Sequence, residues 1–205
     1  MPPGDGELDD QLDALEDALL DRALALLRLN LAEGGAEGCK LEWGWLQNRP
    51  ALRLLGKLIE VEQGTAAELP LLEWLVLTLN PNDNQGLRER LVHVYAAGGC
   101  AADALAVCER YPNDMLGAMI YGRILALYQL GRHAEAAVAL TQAKERLPHI
   151  AKMLTAKKPR MPKLQPGLVS LGGEDEAWYY RQDWRGVWER SGALDWLRQA
   201  TAVKT

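Results

Sequence analysis

Phenylalanine is absent from this 205-residue chain, whose aromatic content is instead seven Trp and six Tyr. Four of the tryptophans, Trp178, Trp184, Trp188 and Trp196, crowd toward the C-terminus. Cysteine is scarce as well. Cys39, Cys100 and Cys108 are an odd number with no CxxC pair, which excludes a closed disulfide framework and the usual zinc spacings. Reduced, buried thiols in a cytoplasmic protein are the expectation. No apolar run reaches the ~20 residues that a membrane-spanning helix needs. The first residues, MPPGDGELDD, place acids where a secretory signal carries a basic start and an apolar stretch. An excess of basic residues is missing too: the net charge is −5, which disfavours a nucleic-acid binder over the chain as a whole. Alternating apolar and polar residues, the mark of half-buried strands, do not occur through the middle of the chain.

What is present is helical periodicity. Leu8, Leu12, Leu15 and Leu19 follow spacings of four, three and four, one face of a helix over residues 7–32. Acids fill its first turns, where negative charge suits the helix dipole. From Ala23 to Leu31 the apolar face broadens, so this half is expected to be buried. EGGAEG (33–38) ends the helix. Asn48 or Arg49 is expected to cap the next one, with Pro50 in its first turn.

Beyond this the chain repeats itself. NPND at 80–83, YPND at 111–114 and LPHI at 147–150 place Pro81, Pro112 and Pro148 at intervals near 34 residues. Between them, two helix-length patterns are split by a glycine turn at Gly98-Gly99 and at Gly131, as Gly64 splits the stretch from Pro50 to Pro81. The fold class is all-α. In the segment Gly117 to Pro148, the residues Tyr128, Gly131, Ala136, Leu140, Ala143 and Pro148 resemble the tetratricopeptide repeat (TPR) in their order of large, turn, small, large, small and proline. The unit from about Asn84 to Pro112 matches through Leu91, Tyr95, Gly99 and Ala104; that from Pro50 to Pro81 keeps only its turn and closing proline. LNPNDNQG and the GEDEA-aromatic segment also resemble segments of bacterial helical proteins, a likeness that implies no activity.

The resemblance implies a TPR-like α-solenoid of about three helix pairs, with flanking N- and C-terminal helices. It divides one structural domain into an acidic N-terminal helix and connection (1–48), helical repeats (49–150), a basic Pro-containing connection (151–173) and a Trp-rich C-terminal helical cap (174–205). It implies a protein- or peptide-binding scaffold without catalysis, cofactor or metal. Its concave groove would be lined by Glu89, Arg90, His93, Tyr121 and Tyr128, with Asn84 and Gln85 at its mouth. The family's carboxylate clamp is not carried over, because Leu54, Leu58, Ala118 and Gly122 stand at the corresponding positions and only Arg90 matches. A homo-oligomer is left open.

Other chemistries fare worse. An EF-hand frame from Asn80 puts Gln85 where glycine is required and Leu91 where a bidentate glutamate is required. Asn82, Asp83 or Asn84 is instead expected to cap the helix that follows, and Asn82 with Gln85 also resembles a capping box. SLGGEDEA (170–177) is no phosphate loop, since Glu174, Asp175 and Glu176 would repel the anion. His93, His133 and His149 are scattered and build no catalytic constellation; an enzyme unrecognised at this level is kept as an alternative. From Arg146 to Lys163 the chain carries six Lys or Arg and no acid. Binding of nucleic acid or an acidic partner there is the other alternative. The lack of aromatics between Tyr128 and Trp178 argues against base stacking. At the C-terminus, Trp184 and Trp188 share a helix face, as do Arg181 and Arg185. Arg–Trp stacking is therefore expected, either in a cap over the array or in a partner site.

Overall fold

The computed structural model describes residues 5–33 and 38–202, with the side chains of residues 5–9 and 13 outside that description. The glycine break expected at 33–38 falls mostly outside it. Every regular element among the described residues is helical, apart from one isolated bridge between Gln165 and Leu168. The fold is therefore all-α. Among these residues no helix is long and apolar enough to cross a membrane. Contacts divide the chain into two compact units, Met1–Arg88 and Glu89–Thr205.

The first unit holds α1 (Asp5–Glu33), α2 (Arg49–Val61) and α3 (Glu68–Glu73), the last running on as a π-helical segment, Trp74–Leu79. Leucines at helical spacing form its core: Leu52, Leu55 and Ile59 on α2 are buried with Leu71, Leu72, Leu75, Val76 and Leu79. Full burial of such a side chain contributes about 1.5–3 kcal/mol. Glu68 is buried yet satisfied, because its carboxylate accepts the Gly64 N–H at 2.8 Å across a turn in which Gly64 has φ +83. Three expectations change here. Burial on the second half of α1 is confined to a stripe: Leu31 is buried and Leu20, Leu24 and Leu27 are half-buried, while Leu26 and Leu29 stay exposed. Neither Asn48 nor Arg49 caps α2: the Asn48 side-chain amide donates to the Glu42 carbonyl, and Arg49 Nε donates to the Trp43 carbonyl. Finally, of the candidates Asn82, Asp83 and Asn84 at the LNPNDNQG join it is Asp83, and not an Asn82–Gln85 box, that caps the next helix. Its two carboxylate oxygens accept the Leu87 and Arg88 N–H groups, each at 2.9 Å, and Asp83 sits at φ +45, where Asp is among the few tolerated side chains. Gln85 is no part of a capping box; it donates to the Leu52 carbonyl of α2 at 3.0 Å.

The second unit contains α4 (Arg88–Ala97) from its second residue on, α5 (Ala101–Arg110), α6 (Gly117–Gln129), α7 (His133–Arg146), α8 (Pro148–Thr155), α9 (Glu174–Arg190) and α10 (Ala193–Ala202). Gly99 at φ +80 and Gly131 at φ +73 make the turns inside the α4/α5 and α6/α7 pairs, a conformation that disfavours any side chain with a Cβ. Helix α6 packs on α5 and α7, whose small buried residues Ala104, Ala136, Ala139 and Ala143 permit close approach. Residues 148–155, read from sequence as the end of the repeats and the start of the basic connection, form the helix α8; the irregular connection begins at Ala156. Pro148 starts this helix because its missing N–H is unpaired in a first turn anyway.

Candidate functional site

The face of α4 and α6 that the repeat register assigns to an open groove is taken by the chain's own helix α9. Tyr121 is fully buried, tilted against Tyr180 of α9 with ring centroids 5.8 Å apart, and burial pushes its hydroxyl up to about 12. His93 meets Trp184 edge to face at 4.9 Å, and its Nε2 lies 3.1 Å from the Asp183 carbonyl oxygen. Tyr128 packs against Trp196 of α10 at 5.3 Å and its hydroxyl donates to the Gly192 carbonyl. Gly122 shows how close the approach is: a Cβ there would stand 2.8 Å from Val92 and 3.2 Å from Trp184. The groove expected around His93, Tyr121 and Tyr128 is thus filled from within, while Glu89 and Arg90 at the start of α4 are half-buried. Trp184 and Trp188 lie inside this packing, buried, and offer no surface to a partner. In the first unit Asn84 is exposed and Gln85 is committed to α2.

Anchors at the start and along the middle of α9 explain why it lies there. Glu176, at its N-terminal end, accepts the Gly117 N–H at 2.7 Å and the Gly172 N–H at 2.6 Å. One carboxylate thereby covers orphan donors at the start of α6 and in the turn before α9. Asp175 accepts the Ser170 N–H, and that bond holds its carboxyl below the usual carboxylate range. Further along, Arg181 and Arg185 donate to the carbonyls of Met153, Leu154 and Ala156 at the C-terminal end of α8, where cations suit the helix dipole. The arginines therefore cap α8, in place of the expected stacking on Trp184 and Trp188. Burial, and secondarily the neighbouring Arg185, hold Arg181 below the ordinary guanidinium value.

What the second unit leaves open lies beside that capped end. A cavity of about 550 Å³ is walled by α8, the connection that follows it and the first residue of α9. Lys152, Lys158, Arg160 and Lys163 line it, with Met153, Pro159, Met161 and Pro162 as apolar wall. The sole acid in the lining is Glu174, 3.9 Å from His149 Nδ1. The basic run 146–163 was visible in the sequence. The apolar wall and the pairing of His149 with Glu174 were not, because they depend on how the connection folds back on α8. All four cations are exposed. Their excess over the one acid favours an anionic occupant.

A second cavity, of about 400 Å³, is bounded by Cys108, Glu109, Asp114, Arg123 and Arg146. Its charges are mixed and its thiol is buried: burial, the dominant cause, pushes Cys108 up to about 12 from an ordinary 9, which disfavours the nucleophilic thiolate. Since the folded state holds this proton more tightly than the unfolded chain, its contribution to stability is complete below pH 9 and is lost progressively toward pH 12. Cys39 and Cys100, by contrast, are exposed, against the expectation of buried thiols. With the native chain at neutral pH, a chromogenic disulfide reagent is expected to leave Cys108 unmodified while Cys100 reacts, Cys108 following only in denaturant. Rapid modification of Cys108 in the native chain would contradict its burial. Among the described residues no three His, Cys, Asp or Glu side chains are grouped to hold a metal ion.

No family model matches the chain, and neither a curated protein nor a solved structure shows significant similarity to it.

Proposed function

We propose that this chain is a protein-binding module of TPR-like helical-repeat type, and that it takes an acidic segment of a partner protein into the cationic cavity beside α8. The observation that carries this reading is the lining itself: four Lys or Arg side chains against one acid, around about 550 Å³, with methionine and proline between the charges. Methionine is enriched at protein interfaces, and charges at the rim steer encounter with a partner of opposite sign. A peptide with acids interspersed among apolar residues satisfies both parts of this wall. Nucleic acid fits it less well, since no Phe, Tyr or Trp ring lines the cavity for base stacking and its one imidazole, His149, lies beside Glu174. The concave face, which serves as binding surface in the family this chain resembles, is here engaged by α9, so the reading moves the partner to the end of the array. It assigns the chain no catalysis.

A fluorescein-labelled peptide of alternating Glu and Leu is the direct probe. Its anisotropy is expected to rise on titration with the chain. Lys158→Glu with Arg160→Glu is expected to weaken binding by about tenfold or more, which is ~1.4 kcal/mol. Because these charges are exposed, the effect shrinks as salt shortens the Debye length from about 30 Å at 0.01 M to about 8 Å at 0.15 M. Unchanged affinity in the double variant, or tighter binding of a single-stranded oligonucleotide than of the peptide, would contradict the reading.

A further inference from the structure

Helix α1 carries two leucine stripes, of which only one is used inside its unit. The helix packs on α2, and Leu20, Ala23, Leu24, Leu27 and Leu31 lose exposure along it. Glu16 pairs with Lys57 of α2 at 3.4 Å, and Arg28 lies over the Trp74 ring at 5.8 Å. The second stripe is Leu12, Leu15, Leu19, Leu26 and Leu29, and these side chains are 54, 56, 61, 43 and 54 % exposed. With Arg22 between them, their spacings are three, four, three, four and three. That is the a/d repeat of 3.5 residues, which fits a neighbouring helix wound around this one rather than the core of a globular unit. The stripe runs about 25 Å, from 17 steps of 1.5 Å. Isolated exposed leucines are ordinary; five in one seam are a docking surface.

Charge selects the occupant and its direction. Residues 5–21 of α1 contain eight Asp or Glu and no Lys or Arg, while Arg22 and Arg28 stand in the half that follows. A parallel pair of identical helices would lay acid on acid and Arg22 on Arg22. An antiparallel pair lays the acidic half of each copy along the arginine-bearing half of the other. It also brings Leu12 opposite Leu29, Leu15 opposite Leu26, and Leu19 opposite Arg22. The flanking positions Ala18, Ala25 and Ala32 are small and let two helices approach closely. We infer that α1 is a self-association helix, and that its exposed leucine seam pairs antiparallel with the same helix of a second copy of this chain.

Light scattering after gel filtration of the full chain gives the first test. The wild type is expected to pass from monomer to dimer as concentration rises through the micromolar range. Leu15→Glu with Leu19→Glu is expected to remain monomeric up to ten times the wild-type midpoint concentration, with unchanged far-ultraviolet circular dichroism. A wild type that stays monomeric at every concentration, including one that instead sediments with anionic vesicles through α1, would overturn the inference. Direction is tested in a Cys39→Ser, Cys100→Ser background. A mixture of Leu12→Cys and Leu29→Cys chains is expected to form intermolecular disulfides between the two variants, and Leu12→Cys alone is not. Cross-linking of Leu12→Cys alone would overturn the antiparallel pairing. Arg22→Glu, which leaves the leucines and the α2-facing stripe intact, is expected to weaken the dimer several-fold; a dimer indifferent to this change would contradict the charge argument.

Discussion

Trp188→Ala is expected to destabilise the second unit by about 3–5 kcal/mol, the range for emptying a large buried aromatic site. Trp188 is fully buried and its Nε1–H donates to the Tyr180 hydroxyl at 2.9 Å. Tyr180 stacks in turn on Trp184, with ring centroids 5.2 Å apart and an interplanar angle of 12°, and Trp184 abuts His93 of α4. Truncation at residue 188 therefore leaves a cavity and removes the partner that orients the ring joining α9 to α6 and α4. Domains of this size are stable by about 5–15 kcal/mol, so the loss is a large share of the total. Urea unfolding followed by circular dichroism measures it. Trp188→Phe, which retains much of the volume and lacks the donor, is expected to fall between wild type and the alanine variant. A cost for Trp188→Ala below about 1 kcal/mol would show that α9 is only loosely laid on the helix array.

Glu176→Ala is expected to cost about 2–4 kcal/mol by a different mechanism. The side chain is buried, and its two oxygens accept one N–H from Gly117 and one from Gly172. Hydrogen bonds to a charged group contribute about 1.5–3 kcal/mol each, and stranding a buried donor carries the full desolvation cost. Alanine removes both acceptors at once. Glutamine keeps one carbonyl oxygen and turns an NH₂ toward the other donor, so Glu176→Gln is expected to be intermediate. Hydrogen exchange should locate the damage: the Gly117 and Gly172 amides are expected to lose protection in the alanine variant while the α7 amides keep theirs. Uniform loss of protection across the unit would contradict this local role.

The helical class was legible because it is written in local patterns. Ala136, Leu140 and Ala143 announce the buried stripe of α7, and Gly99 and Gly131 announce turns that require positive φ. The repeat register set Tyr121, with His93 and Tyr128, along an open groove; that α9 occupies that face was not legible. Glu176 finds Gly117 across 59 residues and Arg181 finds the end of α8 across 28, and nothing in the acidic run or in the Arg/Trp face names those partners. Joins showed the same limit. LNPNDNQG reads as a capping segment, yet three asparagines, an aspartate and a glutamine compete for the role. Only the backbone bend at Asp83 settles which carboxylate reaches the next helix. As for the cationic cavity, its charges were plain in the run from Arg146 to Lys163, whereas its apolar wall arises from tertiary folding of the connection onto α8.

The central claim is that the partner surface of this chain is the cationic cavity and not the face of α4 and α6. Nuclear magnetic resonance mapping with ¹⁵N-labelled chain and the unlabelled Glu/Leu peptide separates the two. The account predicts amide shifts concentrated at 149–163 and at Glu174, with Glu89, Arg90, His93, Tyr121 and Tyr128 unmoved. Shifts centred on those five residues, together with release of α9, would contradict it.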